Sequence, residues 1–331
     1  MKSNLGRWRH ALTGGVLLGA LLAAGCGGDE RSETFRAARV IALGDESSVI
    51  EDVNRDANGR KYSVNALAST ASSRLNCKAH PIWIQVVATH YGLVFPQCNP
   101  APGAVAQPAS RIRATPGARS TDLAAQLAAQ LAESPIGASD LVTVLVGQND
   151  VLEQYARFPA ASEAQITANL EAAAQEVGNV VNRIVATGAR VLVSTIPNFG
   201  YTPYGTAQRI ANPGGVDRAE LLSRLSQRYN AVMRSTIVND GRVIGLVLAD
   251  EYYGVVVGAA GGNDFSNVVT GVCDLTKSSL TPPSILDCTT NTLVSGGDAL
   301  RWLWADSYHL SAGGQSVLGT LAVARAINNP F

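Results

Sequence analysis

The residues best suited to chemistry stand where apolar runs end. Near the C-terminus, Asp306 and His309 are three residues apart, so a single turn can set a carboxylate against an imidazole. Such a pair can take a proton from a hydroxyl, provided one is in reach. The chain has four histidines. His10 falls in the N-terminal apolar segment. His80 precedes Pro81 close to Cys77 and reads as structural, and His90 lies in an apolar helical pattern and reads as a core or surface residue. His309 is therefore the base by elimination. The turn Gly44-Asp45-Glu46-Ser47-Ser48 supplies hydroxyls after the first apolar run. Pro116-Gly117-Ala118-Arg119, Gly147-Gln148-Asn149-Asp150 and Pro197-Asn198-Phe199-Gly200 follow later runs. Together these blocks offer a hydroxyl, a glycine N–H, an amide side chain and an Asp/His pair, which suits nucleophilic attack on an acyl carbonyl.

The elements that must carry these blocks are legible. Residues 38–43, 140–146, 189–195 and 243–249 are short, continuous and rich in Val, Leu and Ile, as strands covered on both faces are, and 111–115 is a weaker fifth. Between them, 121–133, 162–188, 217–239 and 312–327 have helical character, and Ser162 with Gln165 forms a capping-box signature. Strand–helix alternation predicts one α/β domain with a parallel sheet and helices on both faces. In such sheets the ligand sits beyond the carboxyl ends of the strands, where the blocks above fall.

In that order, the set resembles the SGNH (GDSL-type) hydrolases, which are esterases and lipases with a flavodoxin-like sheet. Gly147-Gln148-Asn149-Asp150 matches their GxND block and Asp306-x-x-His309 their DxxH block. Gly117 is similar to the glycine of their oxyanion block, and the segment around Pro197 to their turn after the fourth strand. The resemblance runs from about residue 38 to the end. It implies a three-layer α/β/α fold with about five parallel strands. It also implies an ester hydrolase in which His309 moves the proton, Asp306 holds its tautomer, and the Gly117 N–H with the Asn149 amide stabilises the oxyanion. No organic cofactor or catalytic metal is needed for that chemistry.

The first block departs from the family's Gly-Asp-Ser, since its third residue is Glu46. Three accounts follow. Ser47 is the nucleophile after a one-residue slip; Glu46 replaces the nucleophile in a non-hydrolytic relative; or Ser48 is the reactive group. Ser47 is the expectation here, because a bulge at a strand-to-helix junction can absorb the slip. Glu46, by contrast, would act as an internal inhibitor in an oxyanion hole. The function expected is a serine hydrolase of carboxylic esters, lipid or glycan. The alternatives are a silent binding protein and a polysaccharide deacetylase or esterase.

The N-terminus has signal-peptide architecture: Lys2, Arg7 and Arg9, then an apolar run over 11–24 too short to span a bilayer comfortably. It closes on Leu22-Ala23-Ala24-Gly25-Cys26, which resembles a bacterial lipobox with Cys26 as the lipidated residue. Residues 1–25 then read as signal, 26–36 as a polar tether and 37–331 as the SGNH-like domain. By its resemblance to lipoproteins, Gly27 after the cysteine favours the outer membrane; ordinary cleavage would give a secreted or periplasmic protein instead. Four cysteines remain: Cys77, Cys98, Cys273 and Cys288. Four allow three pairings, and structural disulfides suit an exported chain better than a metal site without CxxC or His spacing.

Composition bounds the rest. The 331 residues are 46% hydrophobic and 16% charged, which excludes a disordered chain and allows one well-filled core. Basic and acidic residues balance, 26 of each, and loss of the signal would remove three basic residues only, so nothing recruits nucleic acid. A monomer bound to the membrane through its lipid is expected. Asn54, Asp56, Asn58 and Gly59 start a calcium-loop pattern, but Asn65 stands where it needs Glu, so a polar surface turn is expected. Trp302, Trp304, Tyr252 and Tyr253 read as core aromatics, with a ligand cleft as the alternative.

Overall fold

The computed structural model describes residues 35–259 and 265–328. The expected signal peptide, Cys26 and most of the tether lie outside these residues. The first strand, β1 (Arg39–Gly44), runs into a 3₁₀ turn at Glu46–Ser48. A small hairpin, β2 (Ile50–Glu51) and β3 (Arg60–Lys61), and helix α1 (Trp83–His90) follow. Next come β4 (Arg111–Ile112), α2 (Leu123–Glu133), β5 (Asp140–Leu145), α3 (Gln148–Ala156) and α4 (Glu163–Val185). The chain continues through β6 (Arg190–Ser194), α5 (Pro203–Ala211), α6 (Arg218–Thr236), β7 (Ile244–Val247) and α7 (Ala249–Gly258). It closes with β8 (Asn267–Gly271), β9 (Trp302–Trp304) and α8 (Ala312–Asn328).

Five strands form one sheet in the order β4-β1-β5-β6-β7, every pair parallel. This is the doubly wound order in which the first two strands swap places, and it brings the carboxyl ends of β1 and β5 side by side. Gly44 pairs with Leu145 at that edge. The strands are apolar because both faces are covered: all six residues of β5 are buried. Helices α2, α4 and α6 pack together, as do α1 and α8, giving the three-layer α/β/α fold the sequence pattern implied. Ser162 caps α4 as expected, its hydroxyl accepting from the Gln165 N–H and its own N–H donating to the Gln165 side chain.

A second, smaller lobe has its own apolar cluster around Val64, Val272, Ile285 and Ala305. The cysteines pair locally, Cys77 with Cys98 in the main core and Cys273 with Cys288 in this cluster. Lys61 is fully buried beside the first disulfide. Its amine donates to the carbonyl oxygens of Cys77, Ala79 and His80 at 3.1, 2.9 and 2.7 Å, with no carboxylate partner among the described residues. Burial lowers this amine to about 7.

The lesser sequence signals resolve simply. The Asp52 carboxylate accepts from the N–H groups of Asp56 and Ala57, and Asp56 from that of Asn58, so the calcium-like segment is a self-bonded turn. Trp304 and Tyr253 are buried, donating to the carbonyl oxygens of Val268 and Gly314. Trp302 packs against the second cluster, and Tyr252 lies at the surface. His80 Nδ1 sits 3.2 Å from the Val64 carbonyl oxygen, and His90 is exposed at the end of α1. Among the described residues no helix is long and apolar enough to cross a membrane.

Candidate active site

The site is assembled at the carboxyl edge of β1 and β5. Asp45 leaves β1 with its N–H bound to the Leu145 carbonyl oxygen at 3.0 Å, and its carboxylate accepts from the Ser47 N–H at 3.0 Å. That cap starts the 3₁₀ turn at Glu46, which fixes which side chain faces the centre. Consecutive residues of such a turn point about 120° apart, so only one can do so.

It is Glu46. Its Oε2 accepts from the Gly117 N–H at 2.8 Å and from Asn149 Nδ2 at 3.0 Å. Its Oε1 accepts from Gln148 Nε2 at 2.5 Å and lies 3.6 Å from His309 Nε2. His309 Nδ1 is 2.7 Å from Asp306 Oδ2, and Asp306 Oδ1 accepts from the N–H groups of Tyr308 and His309. Thus Gly117, Asn149, Asp306 and His309 converge as the sequence blocks suggested, around a carboxylate and not a hydroxyl.

The slip expected to bring Ser47 to the base does not occur. Ser47 lines a gap of about 10 Å³ with Leu145, Thr195, Pro197 and Tyr308, room for one water at most. Ser48 is fully buried, and its hydroxyl accepts from Trp83 Nε1 at 3.0 Å. His309 Nε2 has no hydrogen-bond partner within the described protein, so neither serine reaches it.

Electrostatics follows the geometry. Burial alone would raise the Glu46 carboxyl, but His309 and the Asn149 amide outweigh it and hold the group below its ordinary value. Burial would lower His309, but Asp306 and then Glu46 overcome that and push it up to about 10. The site therefore holds a carboxylate against an imidazolium at neutral pH, and an imidazolium has no lone pair with which to accept a proton. Asp45 is fully buried beside Glu46, and desolvation raises its carboxyl well above the usual range.

This pair couples stability to pH with a definite sign. His309, raised on folding, contributes fully below its ordinary value of 6.5 and loses that contribution as pH rises through about 10. Glu46, lowered on folding, contributes above its ordinary 4.5 and loses that as pH falls through its folded value. Urea unfolding across pH should show the pair's full contribution between those two ordinary values and a decline on either side. Glu46→Gln should flatten the alkaline limb, and an unchanged alkaline limb would contradict the coupling.

Several contributors were not singled out from the sequence. Gln148, the variable position of Gly-Gln-Asn-Asp, binds Glu46 directly. Asp150 accepts from both the N–H and the hydroxyl of Ser120, tying α3 to the loop that presents Gly117. The Tyr229 hydroxyl lies 2.7 Å from Ser120 Oγ and 3.1 Å from the Val146 carbonyl oxygen. Tyr308 and Tyr62 lie against His309, with ring centroids 4.3 and 6.1 Å away. Tyr62 is held by Glu51, to which its hydroxyl donates at 2.6 Å. Sequence spacing offers no signal for these long-range partners.

Similar solved structures include an acetyl xylan esterase variant from Geobacillus stearothermophilus, 13% identical with a TM-score of 0.42, covering 90% of this chain and 98% of that one. A putative GDSL-like lipase from Parabacteroides merdae is 10% identical with a TM-score of 0.42, covering 89% and 98%. An alpha/beta hydrolase enzyme from the metagenome of Lake Arreo, Spain, is 14% identical with a TM-score of 0.44, covering 90% and 99%. No curated protein matches the chain. The family model described as GDSL-like Lipase/Acylhydrolase matches residues 112–321, a stretch that starts downstream of the Glu46 turn. On a match of that extent, the chain belongs to the GDSL-like lipase/acylhydrolase family of ester hydrolases.

Proposed function

We propose that this chain is an exported, envelope-associated member of the family in which serine acyl-enzyme chemistry is absent. Its cleft then serves as a binding site for a small-molecule or glycan ligand. The observation that carries this reading is the position of Glu46: one oxygen takes the Gly117 and Asn149 donors and the other faces Gln148 and His309. An ester carbonyl needs those same donors to hold its developing oxyanion, and the filled place leaves it none. In the family's roles, Asp306 orients His309, but the proton acceptor is already protonated and no hydroxyl stands before it.

Labelling of the purified mature protein with a fluorophosphonate probe tests this, with the adduct located by mass spectrometry. No adduct and no turnover of short acyl esters is the expected outcome. An adduct on Ser47 or Ser48 would restore the serine hydrolase.

Export is supported by the signal-like residues 1–25 and by the two disulfides, which persist in oxidising compartments. Anchoring through Cys26, with the outer membrane as destination, rests on the lipobox resemblance. Metabolic labelling with a fatty acid should mark the wild type and not Cys26→Ala; label retained in the variant would remove the anchor.

A further inference from the structure

We propose that Gly117, Gln148, Asn149 and His309 form a preorganised receptor for one carboxylate, of which Glu46 is the tethered occupant. The inference rests on the reading that Glu46 stands in the nucleophile's place, and it adds a ligand class. Three hydrogen-bond donors and the His309 imidazole, from three separate segments, converge on the two oxygens of one carboxylate. The direct contacts to Oε2 are a backbone N–H and a neutral amide, and the cation at Nε2 lies beside Oε1. That arrangement matches a planar carboxylate, both oxygens of which accept.

Asn149, His309 and the Gly117 loop do not depend on Glu46 for their placement. Asn149 Nδ2 also donates to the Ala118 carbonyl oxygen at 3.1 Å. His309 is fixed by Asp306 from its other nitrogen, and the Gly117 loop is fixed by Asp150 through Ser120. His309 Nε2 is buried, has no hydrogen-bond partner among the described residues and is aimed at the carboxylate. A pocket held from outside keeps its shape when the occupant is cut away, and a buried cation beside it disfavours an empty site.

The occupant's own structure gives the size rule. Beyond its Cα, Glu46 is a propionate; beyond its Cβ, it is an acetate. A free acid must keep van der Waals distance from the stump to which the side chain was bonded, so it fits with one carbon fewer: truncation to glycine opens a place for acetate, and truncation to alanine a place for formate. A methylene too many or too few in a closed pocket changes affinity by about tenfold or more.

Formate and acetate would be titrated into wild type, Glu46→Ala and Glu46→Gly, with binding read by calorimetry and by the shift in melting temperature at constant ionic strength. We expect saturable binding in the variants only, with formate about tenfold tighter for Glu46→Ala and acetate about tenfold tighter for Glu46→Gly. Adding Asn149→Ala to Glu46→Ala should abolish it. If Glu46→Gly does not fold, the formate preference of Glu46→Ala decides the matter alone. Absence of saturable binding in a cooperatively folded variant would overturn the receptor. So would an equal response to both acids, or the same response in wild type. Ester hydrolysis gained by Glu46→Ser without carboxylate binding in Glu46→Ala would overturn the receptor and leave the placement of Glu46 intact.

Discussion

Glu46→Ser is expected to turn a silent protein into an ester hydrolase. Two changes act together. The substitution removes the carboxylate and puts a hydroxyl on the same turn position, on the side facing His309 Nε2. It also removes one of the two anions that hold the imidazole protonated, so His309 falls from about 10 toward the range where a base works at neutral pH, with Asp306 still orienting it. The Gly117 and Asn149 donors are released to an incoming carbonyl. Complete serine triads outperform their disabled forms by up to about 10⁶ in kcat, so even an imperfectly placed serine should raise turnover of a short-chain p-nitrophenyl ester at least about 10³-fold. The variant should also be labelled at residue 46 by the fluorophosphonate. If it is folded and inert, Glu46 does not occupy the nucleophile's place. Activity already present in the wild type would sink the silent reading directly.

The largest stability effect is expected at Gly44. Its φ is +127°, and a Cβ there would lie 1.9 Å from the Leu145 carbonyl oxygen. That oxygen accepts the Asp45 N–H, so it cannot retreat without breaking the bond that launches the site turn. Gln126 grips the same residue, accepting from the Gly44 N–H and donating to its carbonyl oxygen at 2.8 and 2.9 Å. Gly44→Ala combines a disfavoured backbone conformation with an overpacked junction, together about 4 kcal/mol. Gly117→Ala is the control: its φ is +72°, but a Cβ would meet nothing within 4 Å, so the cost should be about 1–2 kcal/mol. Urea denaturation of both variants measures the contrast. Equal losses would mean that the close approach at Gly44 is relieved by the backbone.

What could be read from the sequence followed the strength of local signals. β1, β5, β6 and β7 carry continuous apolar runs, because strands covered on both faces have no polar side to interrupt them, and their bounds were close. β4 has only two paired residues, so its pattern was faint. α3 was hidden because Gly147-Gln148-Asn149-Asp150 has turn composition; it starts a nine-residue helix instead. In the site, Asp306 and His309 were legible because three-residue spacing is local chemistry. The direction of Glu46 was not, since it depends on the cap that Asp45 gives to Ser47 and on a 3₁₀ rotation that composition does not encode. Gln148, Tyr62 and Tyr229 reach the site across long stretches of chain, which no spacing rule reports.

The buried Lys61 makes the site answerable to the redox state of its surroundings. Its ammonium grips the carbonyl oxygens of Cys77, Ala79 and His80, next to the Cys77–Cys98 bridge. Two residues on, the Ser63 hydroxyl donates to the carbonyl oxygen of Leu310, the neighbour of His309. Between them, Tyr62 lies against the imidazole. Reduction of that bridge would leave the turn held by Lys61 alone and loosen this wall of the site, while the parallel sheet, which contains no cysteine, kept its fold. Protein made in a reducing cytoplasm would then be folded and yet deficient at the cleft, so a silent assay from such material would report the host's thiol balance and not the chemistry of Glu46.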